Sequence, residues 1–179
     1  MHYHPARVLD CAARSLTRVG CSILCVRMPR ADPRWWDEFH PWSGIEHGWL
    51  GVDLQGHVAV FTTAGYGLVP MEVDRHLADV DAALDQVGQL PLIASADDIL
   101  RSAHGHYSHW HAYSAKGFYA YDWQQWTGRY YQRLSSPPFP ISVGHLPEEI
   151  QAVAHFAEFP LKFADEAMVV IEYAEPPAR

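Results

Sequence analysis

Gly48-Trp49-Leu50-Gly51-Val52-Asp53-Leu54-Gln55-Gly56-His57-Val58-Ala59-Val60-Phe61-Thr62-Thr63 is the stretch that decides the fold class. Two short apolar runs, residues 48–54 and 57–63, flank Gln55-Gly56, a connection that closes a tight hairpin because glycine accepts positive φ. Leu50, Val52 and Leu54 on the first strand, and Val58 and Val60 against Ala59 and Phe61 on the second, read as strands apolar on both faces. The hairpin therefore reads as central in a sheet that helices cover.

Working outward, residues 74–87 carry Leu77, Val80, Leu84 and Val87 at helical spacing, with Asp74 as cap and Gly88 as stop. The opposite side of that helix holds Asp79, Asp81 and Asp85. Residues 96–103 are expected to form a shorter helix, with Ser95 and Asp98 as a capping box. A third is expected to start at Pro147, use Ile150, Val153, Ala154 and Ala157, and stop at Pro160. Strands are expected at 117–123, 129–134 and 167–173. Strands early and late with helices between them give an α+β fold: one domain with a largely antiparallel sheet covered by two or three helices.

The chain has 179 residues and 20.3 kDa, enough for one domain with its own core. At 49% apolar and 19% charged it is neither a coiled coil nor disordered throughout. No run approaches the ~20 apolar residues of a membrane helix. The formal charge of −8 argues against nucleic-acid binding, which needs a basic surface. That charge is uneven. Residues 1–34 hold Arg7, Arg14, Arg18, Arg27, Arg30 and Arg34 against Asp10 and Asp32, so the remainder, residues 35–179, is more acidic than the total.

Cys11, Cys21 and Cys25 also lie in the basic segment, at spacings that fit neither a redox pair nor a zinc knuckle. Val19-Gly20-Cys21-Ser22-Ile23-Leu24-Cys25-Val26 is short for a signal-peptide core and lacks a cleavage site after it, so a cytoplasmic protein is expected. Residues 1–34 are read as a leader, loosely packed or an extension ahead of a start at Met28, and residues 35–179 as the globular domain.

Known catalytic patterns are absent. Gly65-Tyr66-Gly67 has Pro70 where a dinucleotide fingerprint needs its third glycine, so it reads as a turn. His104-Gly105-His106-Tyr107-Ser108-His109-Trp110-His111 is the one cluster with metal-ligand chemistry. His104, His106 and His109 resemble the H-x-H-x-D-H loop of metallo-β-lactamase-like hydrolases, but Ser108 stands where the second metal's Asp belongs. A zinc-dependent hydrolase built on these three histidines and a distant acid such as Asp122 is one reading; a polar surface loop is the other.

Ten aromatic residues lie between Tyr107 and Tyr131, and alternation puts Tyr119, Tyr121 and Trp123 on one face of a strand. Such a ladder is core packing, a protein-binding surface or a sugar-stacking platform.

Phe39-His40-Pro41-Trp42-Ser43-Gly44, Gly48-Trp49-Leu50-Gly51-Val52-Asp53, Gly56-His57-Val58-Ala59-Val60-Phe61-Thr62-Thr63-Ala64-Gly65 and Gly117-Phe118-Tyr119-Ala120-Tyr121-Asp122-Trp123 together resemble a group of small bacterial proteins. Some of that group are suspected immunity proteins of contact-dependent or secreted toxin systems. The resemblance spans roughly residues 35–173 and implies a fold group and a toxin-immunity role, with no functional residues to carry over. An acidic body suits that role, because an inhibitor of a cationic, nuclease-like toxin gains association rate from opposite charge. The expected partner-binding residues are Asp79, Asp81, Asp85, Glu148 and Glu149, with Trp110, Tyr113 and Trp126 as anchors; no catalytic residue and no cofactor is expected on this reading.

Overall fold

A computed structural model describes residues 23–28, 44–95, 97–101, 107–124 and 130–173. In chain order these form β1 (Ile23–Met28), β2 (Gly48–Val52), β3 (Val58–Thr62), α1 (Met71–Arg75), α2 (Leu77–Gln89), β4 (Leu100–Arg101), α3 (Ser108–Ala115), β5 (Tyr119–Gln124), β6 (Tyr130–Ser136), α4 (Glu148–Ala154) and β7 (Met168–Tyr173). One 3-10 turn, Val143–His145, precedes α4.

The strands form a single mixed sheet in the order β1-β7-β6-β5-β3-β2, with β4 also on β6. Four of the six strand pairs are antiparallel; β1 with β7 and β3 with β5 are parallel. Sheet and helices make one α+β domain. β1 comes from within the segment set apart as a leader, so a start at Met28 would leave the sheet without nearly all of this strand.

The hairpin forms, with its register centred on Leu50 opposite Val60. Its connection is longer than the two residues expected. Asp53 N donates to His57 O at 3.0 Å and Gly56 N to Asp53 O at 3.0 Å, with Gly56 at φ +75. The Asp53 carboxylate lies over this loop, its Oδ1 accepting from Gln55 N and His57 N. Its Oδ2 accepts from Phe163 N at 2.9 Å, so one buried acid ties the hairpin to a segment more than a hundred residues later.

Only β3 of the pair is central. β2 ends the ladder, and its outer edge is covered at the Val52 end: Val52 N donates to Ala157 O, Phe159 N to Val52 O and, just beyond the strand, Leu54 N to Leu161 O. That covering shortens the edge left open to pairing with another chain. It also explains why α4 ends at Ala154 rather than running to Pro160, since the chain beyond is needed as extended backbone. Pro147 precedes α4 as its N-cap.

Strand alternation separates two faces. On one, Phe61 stacks on Trp49 with centroids 4.1 Å apart and on Tyr121 at 5.0 Å, while Tyr131 meets Phe61 edge-on at 5.3 Å. Phe159 and Phe163 from the edge-closing segment complete this cluster. Its polar tips bond inside the fold: Trp49 Nε1 donates to Tyr131 Oη, which donates to Leu68 O, and Tyr121 Oη donates to Glu166 O. Trp123 Nε1 is buried with no acceptor among the described residues. The aromatic ladder of Tyr119, Tyr121 and Trp123 is therefore core.

Helices cover the opposite face. α2 packs against β2 and α4, and α3 against β5 and β6. Gly48 lies close under α2: a Cβ there would sit 2.8 Å from Leu84 Cδ1, so the leucine tip would have to shift.

The helix expected to start at residue 74 is two helices, broken at His76 (φ −123, ψ 31). Asp74 falls inside α1 and holds no N-cap position; that of α2 is His76, with no side-chain cap. Gly88 does not stop α2, which continues to Gln89; its last turn is capped instead by Lys116, whose Nζ donates to Val87 O at 2.9 Å and to Gly88 O. The helix expected at residues 96–103 is absent among the described residues. Ser95 N does donate to Asp98 Oδ2, but the Ser95 hydroxyl accepts from Asp97 N and Asp98 N donates to Ser95 O, so these bonds close a turn that leads into β4. Capping chemistry fixes the turn, while pairing of Leu100 and Arg101 with Ser136 and Ser135 makes the next residues a strand.

Candidate functional site

Two places gather chemistry: the outer sides of α1, α2 and α4, and the sheet end where α3 meets β3 and β5.

On α2 the stripe of Val80, Ala83 and Val87 is buried, which by helical geometry turns Asp79, Asp81 and Asp85 outward, and all three are exposed. α1 adds Glu72, and α4, packed beside α2, adds Glu148 and Glu149 in its first turn, where they also favour the helix dipole. The His76 ring lies among these acids, Nε2 3.4 Å from Glu72 Oε1 and Nδ1 3.4 Å from Asp79 Oδ2, and stacks on Phe156 at 4.8 Å. Arg75 pairs with Glu72, and His155 with Glu158. Among the described residues Asp81, Asp85, Glu148 and Glu149 have no ion-pair partner.

Arg75 stays exposed in its pair with Glu72, whereas two other cations are turned toward backbone carbonyls. Lys116 is largely buried on the α2 carbonyls, and desolvation lowers its pKa. Arg133 points its guanidinium at the carbonyl oxygens of Phe163 and Ala164.

At the other place, Trp110 Nε1 donates to Thr62 Oγ1 at 2.8 Å, and Thr62 Oγ1 donates to Asp122 Oδ1 at 2.6 Å. Ser135 Oγ donates to Trp110 O and lies 2.7 Å from Ser114 Oγ, fastening α3 to the sheet. Burial raises the Asp122 pKa, against the Thr62 hydrogen bond, and the Glu46 carboxylate raises it further. Tyr113 is half-buried against the core; its hydroxyl lies 3.3 Å from His109 Nε2, and burial and then Glu46 raise its pKa.

The sequence matches no protein-family model, no curated protein and no solved structure.

The expected residues thus divide. Asp79, Asp81, Asp85, Glu148 and Glu149 share one exposed helical layer. Trp110 and Tyr113 are half-buried where exposed anchors were expected: Trp110 bonds α3 to Thr62, and Tyr113 packs against the core. Trp126, His104 and His106 lie outside the described residues. His109 sits on a helix, exposed, beside Tyr113. Among the described residues no group of three His, Cys, Asp or Glu is placed to hold a metal, and no helix is long and apolar enough to cross a membrane. Sequence reasoning missed Glu46 and Thr62 as companions of Asp122. It also missed exposed Leu92, Ile93 and Phe139, whose signal was apolar residues set among Pro91, Pro137, Pro138 and Pro140.

Proposed function

We propose that this chain is a non-enzymatic binding protein of the immunity type, which neutralises a cationic bacterial toxin domain through its acidic helical layer and takes no cofactor. The observation that carries this reading is the asymmetry of charge. Asp81, Asp85, Glu148 and Glu149 face solvent without ion-pair partners among the described residues, while Lys116 and Arg133 are directed at backbone carbonyls. Carboxylates on a rigid helix pair mimic the spaced charges of a phosphate backbone and speed encounter with a basic surface. A cytoplasmic site of action fits inhibition of a nuclease-like toxin at its target.

Burial of Tyr119, Tyr121 and Trp123 leaves the sugar-stacking alternative without its platform. The hydrolase alternative keeps one supporting contact, since α3 carries His109 and is bonded through Trp110 and Thr62 to Asp122.

The test is protection. Bacterial cells expressing the protein encoded beside this chain's gene should survive when this chain is co-expressed, and should die when it carries Asp79→Lys, Asp81→Lys and Asp85→Lys together. Survival with the triple variant, or death with the native chain, would reject the acidic-layer account.

A further inference from the structure

The α2 helix ends in an apolar spur. Beyond Gln89 the chain runs Leu90-Pro91-Leu92-Ile93, with Leu92 66% and Ile93 46% exposed. Ile93 N donates to Ala115 O at 2.8 Å, and Ile141 N donates to Gly117 O at 2.9 Å, so two distant loops are stitched to the turn after α3. They meet over Gly117. A Cβ built there would fall 2.9 Å from Ile141 Cβ and 3.0 Å from Ile93 Cδ1, and its φ of +97 already favours glycine. The Ile141 loop presents Phe139, 64% exposed.

Exposed apolar side chains scattered singly need no explanation, but Ile93 and the loop that carries Phe139 are held against the same glycine. Pro138 and Pro140 flank Phe139, fixing φ on both sides and restricting Phe139 itself to extended backbone. A residue whose backbone is fixed this way loses little backbone freedom on binding, which favours an interface hot spot. The flanking chain is acidic: Asp85 lies about one turn before the end of α2, and Asp97 and Asp98 follow Ile93 within five residues, all exposed. The neighbouring cation, Lys116, has its charge on the α2 carbonyls.

We infer that Leu92, Ile93 and Phe139 form the apolar centre of the partner interface, and that the occupant is a protein surface with an apolar anchor ringed by Lys and Arg. This inference rests on the binding role proposed above and replaces Trp110, Tyr113 and Trp126 as its anchors. An apolar centre with a charged rim is the arrangement in which buried area supplies residence time and charge supplies encounter rate.

The test pans a displayed library of random peptides, about twelve residues long, on the purified full chain. Enriched peptides should carry a bulky apolar residue flanked by Lys or Arg. Their affinity should fall at least about tenfold on Phe139→Ser or Leu92→Ser and a few-fold on Asp85→Lys. Both serine variants change exposed side chains, and an unchanged thermal melt shows that the fold is kept. Peptides that bind Phe139→Ser and Leu92→Ser as well as native protein, or a library that yields no such motif, overturn the apolar centre and leave the acidic layer standing. Apolar peptides without cations, lost on Phe139→Ser but insensitive to Asp85→Lys, overturn the cationic partner and with it the function proposed above.

Discussion

On the sheet face of Trp49, Phe61, Tyr121 and Tyr131 the aromatic rings are buried and most polar tips bond within the fold, whereas the helices on the opposite face turn carboxylates outward that pair with little or nothing. The first arrangement is what stability requires: stacked and edge-on rings with satisfied hydroxyls. The second adds only exposed ion pairs to the fold and sets like charges on neighbouring helices. Sequence pattern alone shows aromatic residues and acidic residues in equal prominence. In the fold, the aromatics hold the sheet together and the acids are left available for something outside it.

The sharpest way to break this division is to cut each side and compare. Phe61→Ala removes a fully buried ring that contacts Trp49, Tyr121, Tyr131 and Phe159, and it should cost about 3–5 kcal/mol in chemical denaturation. A loss under about 1 kcal/mol would show that the cluster is not the core of the domain.

Asp53→Ala leaves the amides of Gln55, His57 and Phe163 without their acceptor, and a buried donor left unsatisfied costs about 1–3 kcal/mol, so a loss of about 2–3 kcal/mol is expected. Amide exchange near Phe163 should quicken in the same variant, since that bond anchors the segment closing the β2 edge.

The legibility of the molecule divides along the same line. The hairpin at residues 48–63 could be read because its apolar runs and glycine turn are local, and the acidic layer because it depends on helical period. Asp53 could not be read as a tie to Phe163, because that contact joins residues far apart in sequence. The break at His76 lacks a proline or glycine to announce it, and the histidine there gains a place between Glu72 and Asp79 and a stack on Phe156. Trp110 reads as a surface anchor until Thr62, forty-eight residues earlier, supplies an acceptor for its indole N–H. Residues 96–103 hold a capping pair and still form no helix among the described residues, because tertiary pairing with β6 outweighs local preference.

Asp122 sharpens the comparison through pH. Its folded pKa is raised, mainly by burial, so folding favours the neutral acid. Stability from this group is fully present below the ordinary carboxylate range and declines as pH rises through the raised folded value. Asp122→Asn keeps an oxygen to accept from Thr62 Oγ1 and removes that penalty. The variant should gain stability relative to native protein at pH 7 and lose that advantage near pH 3. An advantage independent of pH would show that ionisation of Asp122 is not the cause.

The smallest effect on folding is expected from the acids themselves. Replacing Asp79, Asp81 and Asp85 by Lys should leave stability within about 0.5 kcal/mol per site, because exposed positions outside the core rarely matter more. A larger loss would mean that the layer serves the fold after all.

The most direct measurement is a calorimetric titration of the native chain and of this triple variant with the protein encoded beside its gene, from about 50 to about 300 mM salt. The account predicts native affinity that weakens at least about tenfold across that range, and no detectable binding by a triple variant whose melting point is unchanged. Salt-independent affinity, or equal binding by the triple variant, would contradict it.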